Sequence, residues 1–257
     1  TPDGAKVEYV QFGRGPVSVV TIPGAGDGLN TVRKAGLQLA ILYRKRWKQC
    51  RMTVFSRRIP YPAGFGVAAL AKDFVFAAEQ LGVKTAVWEL NSAGGPVGQQ
   101  VAFLVQGMVL TSTLHRMNGL TRSTIDRWIE QVQAGEWADL MWDTVQRTYT
   151  EQRARRYRFI KPLLPILARP SQYADRFVNL LQDLYPVDHT AQLPQIICPV
   201  WISHGAADQV IPVEVAREAD ALLPNSSLTV YLEYGHGNEV ENPAYSNDFL
   251  KFVSQFG

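Results

Sequence analysis

Short runs dominated by apolar and β-branched residues recur along the chain at 17–22, 52–56, 85–91, 108–113, 198–203 and 228–233. Runs of this length bounded by turn residues read as buried strands. Residues 6–12 instead alternate apolar and polar side chains, as an exposed-edge strand does, before Gly13-Arg14-Gly15-Pro16 turns the chain. Between the strands the apolar spacing becomes helical. Helices are predicted over 30–47, up to about Leu81, through Gln99 and Val101, through Leu223, and from the 234–239 loop to Phe256. In the second of these, Phe74, Ala77, Ala78 and Leu81 share a core-facing stripe, and Gly82 ends it. Strands alternating with helices in this way predict an α/β fold: a mostly parallel central sheet with helices on both faces.

The alternation breaks near Met117. From 123 to 149 the pattern is helical and aromatic, interrupted at Gly135, and further helical stretches cover about 151–160 and 171–185. The reading is a core domain over 1–116 and 198–257, with 117–197 inserted as a helical cap across the carboxyl ends of the strands. Most apolar residues of the cap should serve packing. Trp128, Trp137, Met141 and Trp142 are the candidates for lining a substrate pocket between the layers, together with His115 at a strand end beside the cap hinge.

Composition narrows the chemistry. A chain of 257 residues, 46% hydrophobic and 19% charged, has enough apolar surface for one large domain. A net charge of +3 with dispersed Lys and Arg argues against a nucleic-acid partner. Without an apolar run long enough to span a bilayer, no membrane insertion is expected, and the polar opening Thr1-Pro2-Asp3-Gly4 gives no sign of a signal peptide. Cys50 and Cys198 are too few for a disulfide framework and lie in no metal-ligand spacing, so no metal is expected and a cytoplasmic location fits. The expected partner is a small-molecule substrate, with a homodimer left open.

Three polar residues follow three different strands. Ser92 ends a β-rich run and opens onto Ala93-Gly94-Gly95, a corner that holds a hydroxyl above the sheet or simply N-caps the next helix. Asp208 lies in His204-Gly205-Ala206-Ala207-Asp208-Gln209-Val210-Ile211-Pro212, and His236 in Gly235-His236-Gly237. In a parallel sheet, loops at these ends converge on one edge, where ligand sites form. The loop Pro23-Gly24-Ala25-Gly26-Asp27-Gly28 lacks the Lys-Ser/Thr of a phosphate-binding P-loop and the dinucleotide fingerprint, so it is read as a source of backbone N–H donors rather than a cofactor cradle. Asp27 is expected to cap the helix behind that loop, His204 to support the Asp208 loop, and His189 to tie the cap's return to the core.

Taken together, Ile22-Pro23-Gly24-Ala25-Gly26, Asn91-Ser92-Ala93-Gly94-Gly95, the 204–212 loop and Gly235-His236-Gly237 resemble the α/β-hydrolase superfamily over nearly the whole chain. The resemblance implies a Ser92–His236–Asp208 triad, an oxyanion hole from the N–H groups of Ala25 and Ala93, no cofactor, and hydrolysis of a carboxylic ester or related acyl bond. Acyl transfer, carbon–carbon bond hydrolysis and a non-catalytic ligand-binding role use or retain the same constellation and stay open. Relatives that use an aspartate nucleophile are disfavoured by Ser92. Three features depart from the usual pattern. Leu90 puts a bulky side chain two places before the nucleophile, Pro23 stands where many members have histidine, and 101–108 is short for a helix plus loop.

Overall fold

The computed structural model describes residues 1–257. Its strands are β1 (Tyr9–Phe12), β2 (Val17–Ile22), β3 (Cys50–Phe55), β4 (Val87–Asn91), β5 (Gly107–Thr111), β6 (Val200–Gly205) and β7 (Ser226–Tyr231). They form one seven-stranded sheet in the order β1-β3-β2-β4-β5-β6-β7, parallel throughout except for β1 against β3. The half-exposed alternation of β1 fits its place at an edge, whereas β4 and β5 are buried at every position because helices cover both faces.

One face packs against α1 (Gly36–Tyr43) and the C-terminal helix Tyr245–Val253, through Val19, Met52, Val109, Trp201 and Phe249. The other packs against α2 (Val67–Gln80), α3 (Gly95–Gln99) and the helix Val213–Leu222, through Val20, Leu70, Phe74, Leu90 and Ile202. The helix predicted over 30–47 is therefore much shorter. The N–H of Val32 bonds to Ser56 Oγ at 2.8 Å, which draws the start of that segment toward the loop after β3 instead of into a helical turn. β2 falls where expected, but β6 lies two residues later and β7 two residues earlier than expected, so that His204 lies inside β6 and β7 ends at Tyr231.

Glu89 is fully buried in the middle of β4. A charge there persists only if it is paired. Arg46 Nη1 donates to it at 2.7 Å and Thr21 Oγ1 at 2.9 Å, while the Arg46 guanidinium lies 3.9 Å from the Phe249 ring centroid.

Between β5 and β6 the chain makes five helices: α4 (Gly119–Ala134), α5 (Trp137–Thr148), α6 (Glu151–Arg156), α7 (Leu164–Leu167) and α8 (Ala174–Gln182). Asn118 caps α4 by accepting from Thr121 N at 3.0 Å, and Gly135, at φ 74°, closes it. The helix predicted over 151–160 stops at Arg156 and continues as a 3₁₀ segment containing Pro162, which cannot donate to a helical ladder. That over 171–185 contracts to α8. A third apolar cluster, including Ile125, Trp128, Leu140, Phe177 and Val210, joins these helices to the loops at the carboxyl ends of the strands. Two later helices, α9 (Val213–Leu222) and α10 (Asn238–Glu241), precede the C-terminal α11 (Tyr245–Val253). No helix is long and apolar enough to cross a membrane.

Candidate active site

Ser92 follows β4 directly and has φ 49°, left-handed backbone that a non-glycine residue adopts only when its surroundings hold it there. Two features hold it. Thr113 Oγ1 donates to the Ser92 carbonyl at 2.5 Å, and α3 runs so close to the sheet that side chains are excluded on its inner face. A Cβ on Gly94 would lie 2.5 Å from Ile22 O, and one on Gly95 would lie 1.9 Å from Thr113 Oγ1. Leu90, the expected source of crowding, fits for the same reason: a Cβ on Gly98 would meet Leu90 Cδ1 at 2.0 Å, so the missing side chain of Gly98 makes the space that Leu90 fills. The short connection expected at 101–108 is also present, as a 3₁₀ turn over Ala102–Leu104 leading into β5.

The loops after β6 and β7 bring Asp208 and His236 to this corner. His236 Nδ1 lies 2.8 Å from Asp208 Oδ2, and His236 Nε2 lies 2.9 Å from Ser92 Oγ. A carboxylate only accepts, so Nδ1 carries the proton and the neutral ring presents the lone pair of Nε2 to the serine hydroxyl. The other oxygen of Asp208 accepts from the N–H groups of Val210 at 2.8 Å and Ile211 at 2.9 Å. Burial alone would raise the Asp208 carboxyl, but His236 and the bonds from His204 and His236 hold it well below the usual carboxylate range. Burial disfavours the His236 cation, yet Asp208 outweighs it and raises the imidazole above its ordinary value. The arrangement can therefore take a proton from Ser92 and stabilise the imidazolium that results.

His204 supports the loop as expected, its Nε2 lying 2.9 Å from Ile211 O. His189 ties the end of the inserted segment to α3, with Nδ1 2.7 Å from Gln99 Oε1 and its backbone N–H donating to His115 O at 2.7 Å. Asp27 does not cap a helix. It lies inside a 3₁₀ turn over Ala25–Gly28, and its carboxylate accepts from Ser56 Oγ at 2.6 Å and Arg57 N at 2.8 Å. Arg57 donates in turn to Gly24 O at 2.9 Å, and Arg176 from α8 donates to the carbonyls of Asp27, Gly28 and Asn30. The 23–28 loop is thus fixed from below and from the inserted helices. A Cβ on Gly24 would sit 3.2 Å from Ser92 Cβ, so the loop lies against the serine. Ala25 and Ser92 each begin a 3₁₀ turn, and the first N–H groups of such turns have no partner within them.

A cavity of about 320 Å³ opens at Ser92 and His236. Trp128 lines it and is held by its indole N–H donating to Asp143 Oδ2 at 2.8 Å. Trp137 and Met141 line a second cavity of about 660 Å³ that shares Leu29, Thr144 and Thr148 with the first. Trp142 and His115 border neither: Trp142 packs beneath Lys161, and His115 is buried with both ring nitrogens unpartnered, burial lowering its pKa and keeping it neutral. The sequence reading missed Ser112, Asn238 and Glu239. Ser112 has φ 44° and accepts from Asn238 Nδ2 at 2.7 Å, while Asn238 Oδ1 accepts from Ser203 Oγ at 2.9 Å, which anchors the chain just after His236. Glu239 lines the Ser92 cavity, and burial pushes its carboxyl up to about 7.

No family model matches the chain. Solved structures match it over almost its whole length. The α/β hydrolase MGS-M2, from a Medee basin deep-sea metagenome library, has a TM-score of 0.83 at 18% identity, covering 98% of this chain and 95% of that one. The enol-lactonase from Burkholderia xenovorans LB400 gives 0.82 at 14% identity, covering 98% of each chain. The fold is that of the α/β hydrolases. The esterase EaEST from Exiguobacterium antarcticum shares this α/β-hydrolase fold, with a TM-score of 0.80 at 18% identity over 98% of this chain and 97% of that one. Sequence relatives match only a segment of the chain. The pimeloyl-[acyl-carrier protein] methyl ester esterase of Aliivibrio salmonicida (strain LFI1238) is 26% identical over 91 residues, 35% of this chain and 34% of the relative. The putative carbamate hydrolase RutD of Caulobacter sp. (strain K31) is 35% identical over 75 residues, 29% of this chain and 28% of the relative. The chain thus spans about a third or less of the length of these curated relatives.

Proposed function

We propose that the protein is a serine hydrolase that cleaves a carboxylic ester or a related acyl bond of a small, partly apolar molecule. The observation that carries this reading is His236, hydrogen-bonded to Ser92 at 2.9 Å on one side and to Asp208 at 2.8 Å on the other. Ser92 Oγ attacks the acyl carbon as its proton passes to His236 Nε2. The carbonyl π electrons move onto oxygen, and the resulting oxyanion is held by the N–H groups of Ala25 and Ala93. Each such donor is worth about 3 kcal/mol in the transition state. Collapse of the intermediate expels the alkoxide, which takes the proton from His236. Water, deprotonated by His236, then attacks the acyl-serine, and the second collapse frees the acid and returns the proton to Ser92.

In this reading 117–197 acts as a cap. Support comes from its attachments to the core, among them Arg176 to the carbonyls of Asp27, Gly28 and Asn30, and Thr150 to Glu241, whose carboxylate accepts from Thr150 N at 2.8 Å and Thr150 Oγ1 at 3.0 Å. Trp128 lines the Ser92 cavity, and Trp137 and Met141 line the adjoining cavity, which would take the apolar part of the substrate. The names of the matched relatives, an esterase and a carbamate hydrolase, agree with acyl-bond hydrolysis without naming a substrate for this chain.

Turnover of short- and medium-chain nitrophenyl esters by the wild type, Ser92→Ala and His236→Ala tests the assignment. Both variants are expected to lose turnover, and equal rates in all three proteins would rule it out. A serine-reactive phosphonate should label the wild type and not Ser92→Ala.

A further inference from the structure

Asp27, in the 23–28 loop beside Ser92, and Glu239, just after His236, differ in what their carboxyl groups bind. Asp27 is saturated by Ser56, the Arg57 N–H and two buried guanidinium groups. Glu239, three residues after His236, lines the cavity beside Ser92, Tyr43, Thr111 and Ser112, and its Oε2 is buried with no hydrogen-bond partner. No Lys or Arg lines that cavity. The buried cation Arg46 is spent on Glu89 at 2.7 Å; Arg44, Lys45 and Arg153 line the groove on the other side of Glu239, Arg153 lying 3.9 Å from Glu241, and within the Ser92 cavity the one group that can become a cation is His236, the base of the proposed reaction. A buried carboxyl oxygen left without a donor leaves the anion under-solvated. A cation supplied by the ligand removes that penalty, and a neutral apolar ligand does not.

We propose that Glu239 is the specificity-determining residue of the Ser92 cavity and that it selects substrates carrying a protonated amine on the acyl group. This rests on Ser92 as the nucleophile of the proposed hydrolase. Burial also pushes Glu239 up to about 7, so an ammonium group beside it would hold ionised a group that otherwise stands half protonated near neutral pH. A hydroxyl would satisfy the lone pairs but leave the charge uncompensated, which is why the amine is the better match.

The test compares nitrophenyl esters that differ only in NH₃⁺ against CH₃: alanyl with isobutyryl, and β-alanyl with butyryl. The wild type is expected to favour the amino member of at least one pair by about ten- to a hundredfold in kcat/KM, and Glu239→Gln to bring that ratio to within about threefold of one. Glu239→Lys should shift preference to the hemisuccinyl ester. A ratio that is the same in the wild type and Glu239→Gln overturns the proposal, whatever the absolute rates. If the wild type turns over none of these esters, the serine-hydrolase reading fails instead, and the amine proposal is still read by binding. Saturation-transfer NMR on Ser92→Ala protein should then show n-butylamine contacts that disappear when Glu239→Gln is added, with n-pentane-like apolar ligands unaffected. Equal amine signals in the two proteins reject it.

Discussion

The carboxyl edge of the sheet and the helical segment above it are built on different terms. At the edge, the groups around Ser92 are held by close neighbours: Asp208 accepts on both oxygens, Thr113 pins the Ser92 carbonyl, and Gly98 gives up its side chain to Leu90. In the helical segment, Phe159 is 77% exposed and Met141 43%. Its contacts to the edge combine apolar packing on Val210 and Ile211 with hydrogen bonds from Thr121, Arg147, Thr150, Ser171 and Arg176, and the Thr148 carbonyl accepts from Gly237 N at 2.7 Å. A fully packed site fixes geometry to fractions of an ångström and tolerates little change. Exposed side chains of the helical segment can vary without disturbing that geometry. The difference is that the groups around Ser92 are held by neighbours from several elements, whereas the helical segment also presents exposed side chains such as Met141.

The largest effect should come from the edge. Ser92→Ala is expected to lower kcat by about a millionfold while leaving the melting temperature close to that of the wild type, measured by ester turnover and thermal denaturation. Next, Asp208→Asn should cost about 10⁴-fold in kcat, because the amide no longer fixes the His236 tautomer. Its pH profile adds a sign. The base works only when neutral and its pKa is raised, so kcat/KM should rise with pH along a limb centred above 6.5, the ordinary imidazole value. Asp208→Asn removes the anion that raises it and should move the limb to lower pH. Glu239, with its own pKa of about 7, faces the same cavity, so repeating the profile in Glu239→Gln separates the two titrations.

A smaller effect tests whether the edge is as tightly packed as the geometry implies. Gly98→Ala should destabilise the fold by about 1–3 kcal/mol in denaturant unfolding, because its Cβ would overlap Leu90. Adding Leu90→Ala should recover part of that loss, and an additive double mutant would show that the two side chains do not compete. The smallest effect belongs to the helical segment. Met141→Ala is expected to change stability by no more than about 0.5 kcal/mol while shifting the chain-length preference seen in KM. A large loss of kcat there would erase the distinction between the two regions.

Much of the edge was legible because its signals are local. A strand followed by Ser-Ala-Gly-Gly, a second followed by an Asp loop and a third by Gly-His-Gly mark the converging loops whatever lies between them. The glycines after Ser92 announced close packing, and the sheet geometry accounts for each of them. Asp27 was misread because its partners, Ser56, Arg57 and Arg176, are remote in sequence, so nothing beside it indicated that its carboxylate was already occupied. Leu90 looked obstructive for a related reason: its clearance comes from Gly98, one helical turn beyond the corner and on the other side of the contact. Pocket residues were the least legible, since the same helical spacing puts Trp128 on a cavity wall and Trp142 under a lysine.

The sequence by itself determined the order of strands and helices, the loops that carry Ser92, Asp208 and His236, and the helical interruption between β5 and β6, because hydrophobic period and turn residues act over a few positions. Only the tertiary structure decided which carboxyl groups are spent and which is free. Asp27 and Glu239 are both acidic residues a few positions from the site, and no local pattern separates them. The difference arises because folding brings two guanidinium groups and a hydroxyl to Asp27 from distant segments, and brings none to the buried oxygen of Glu239.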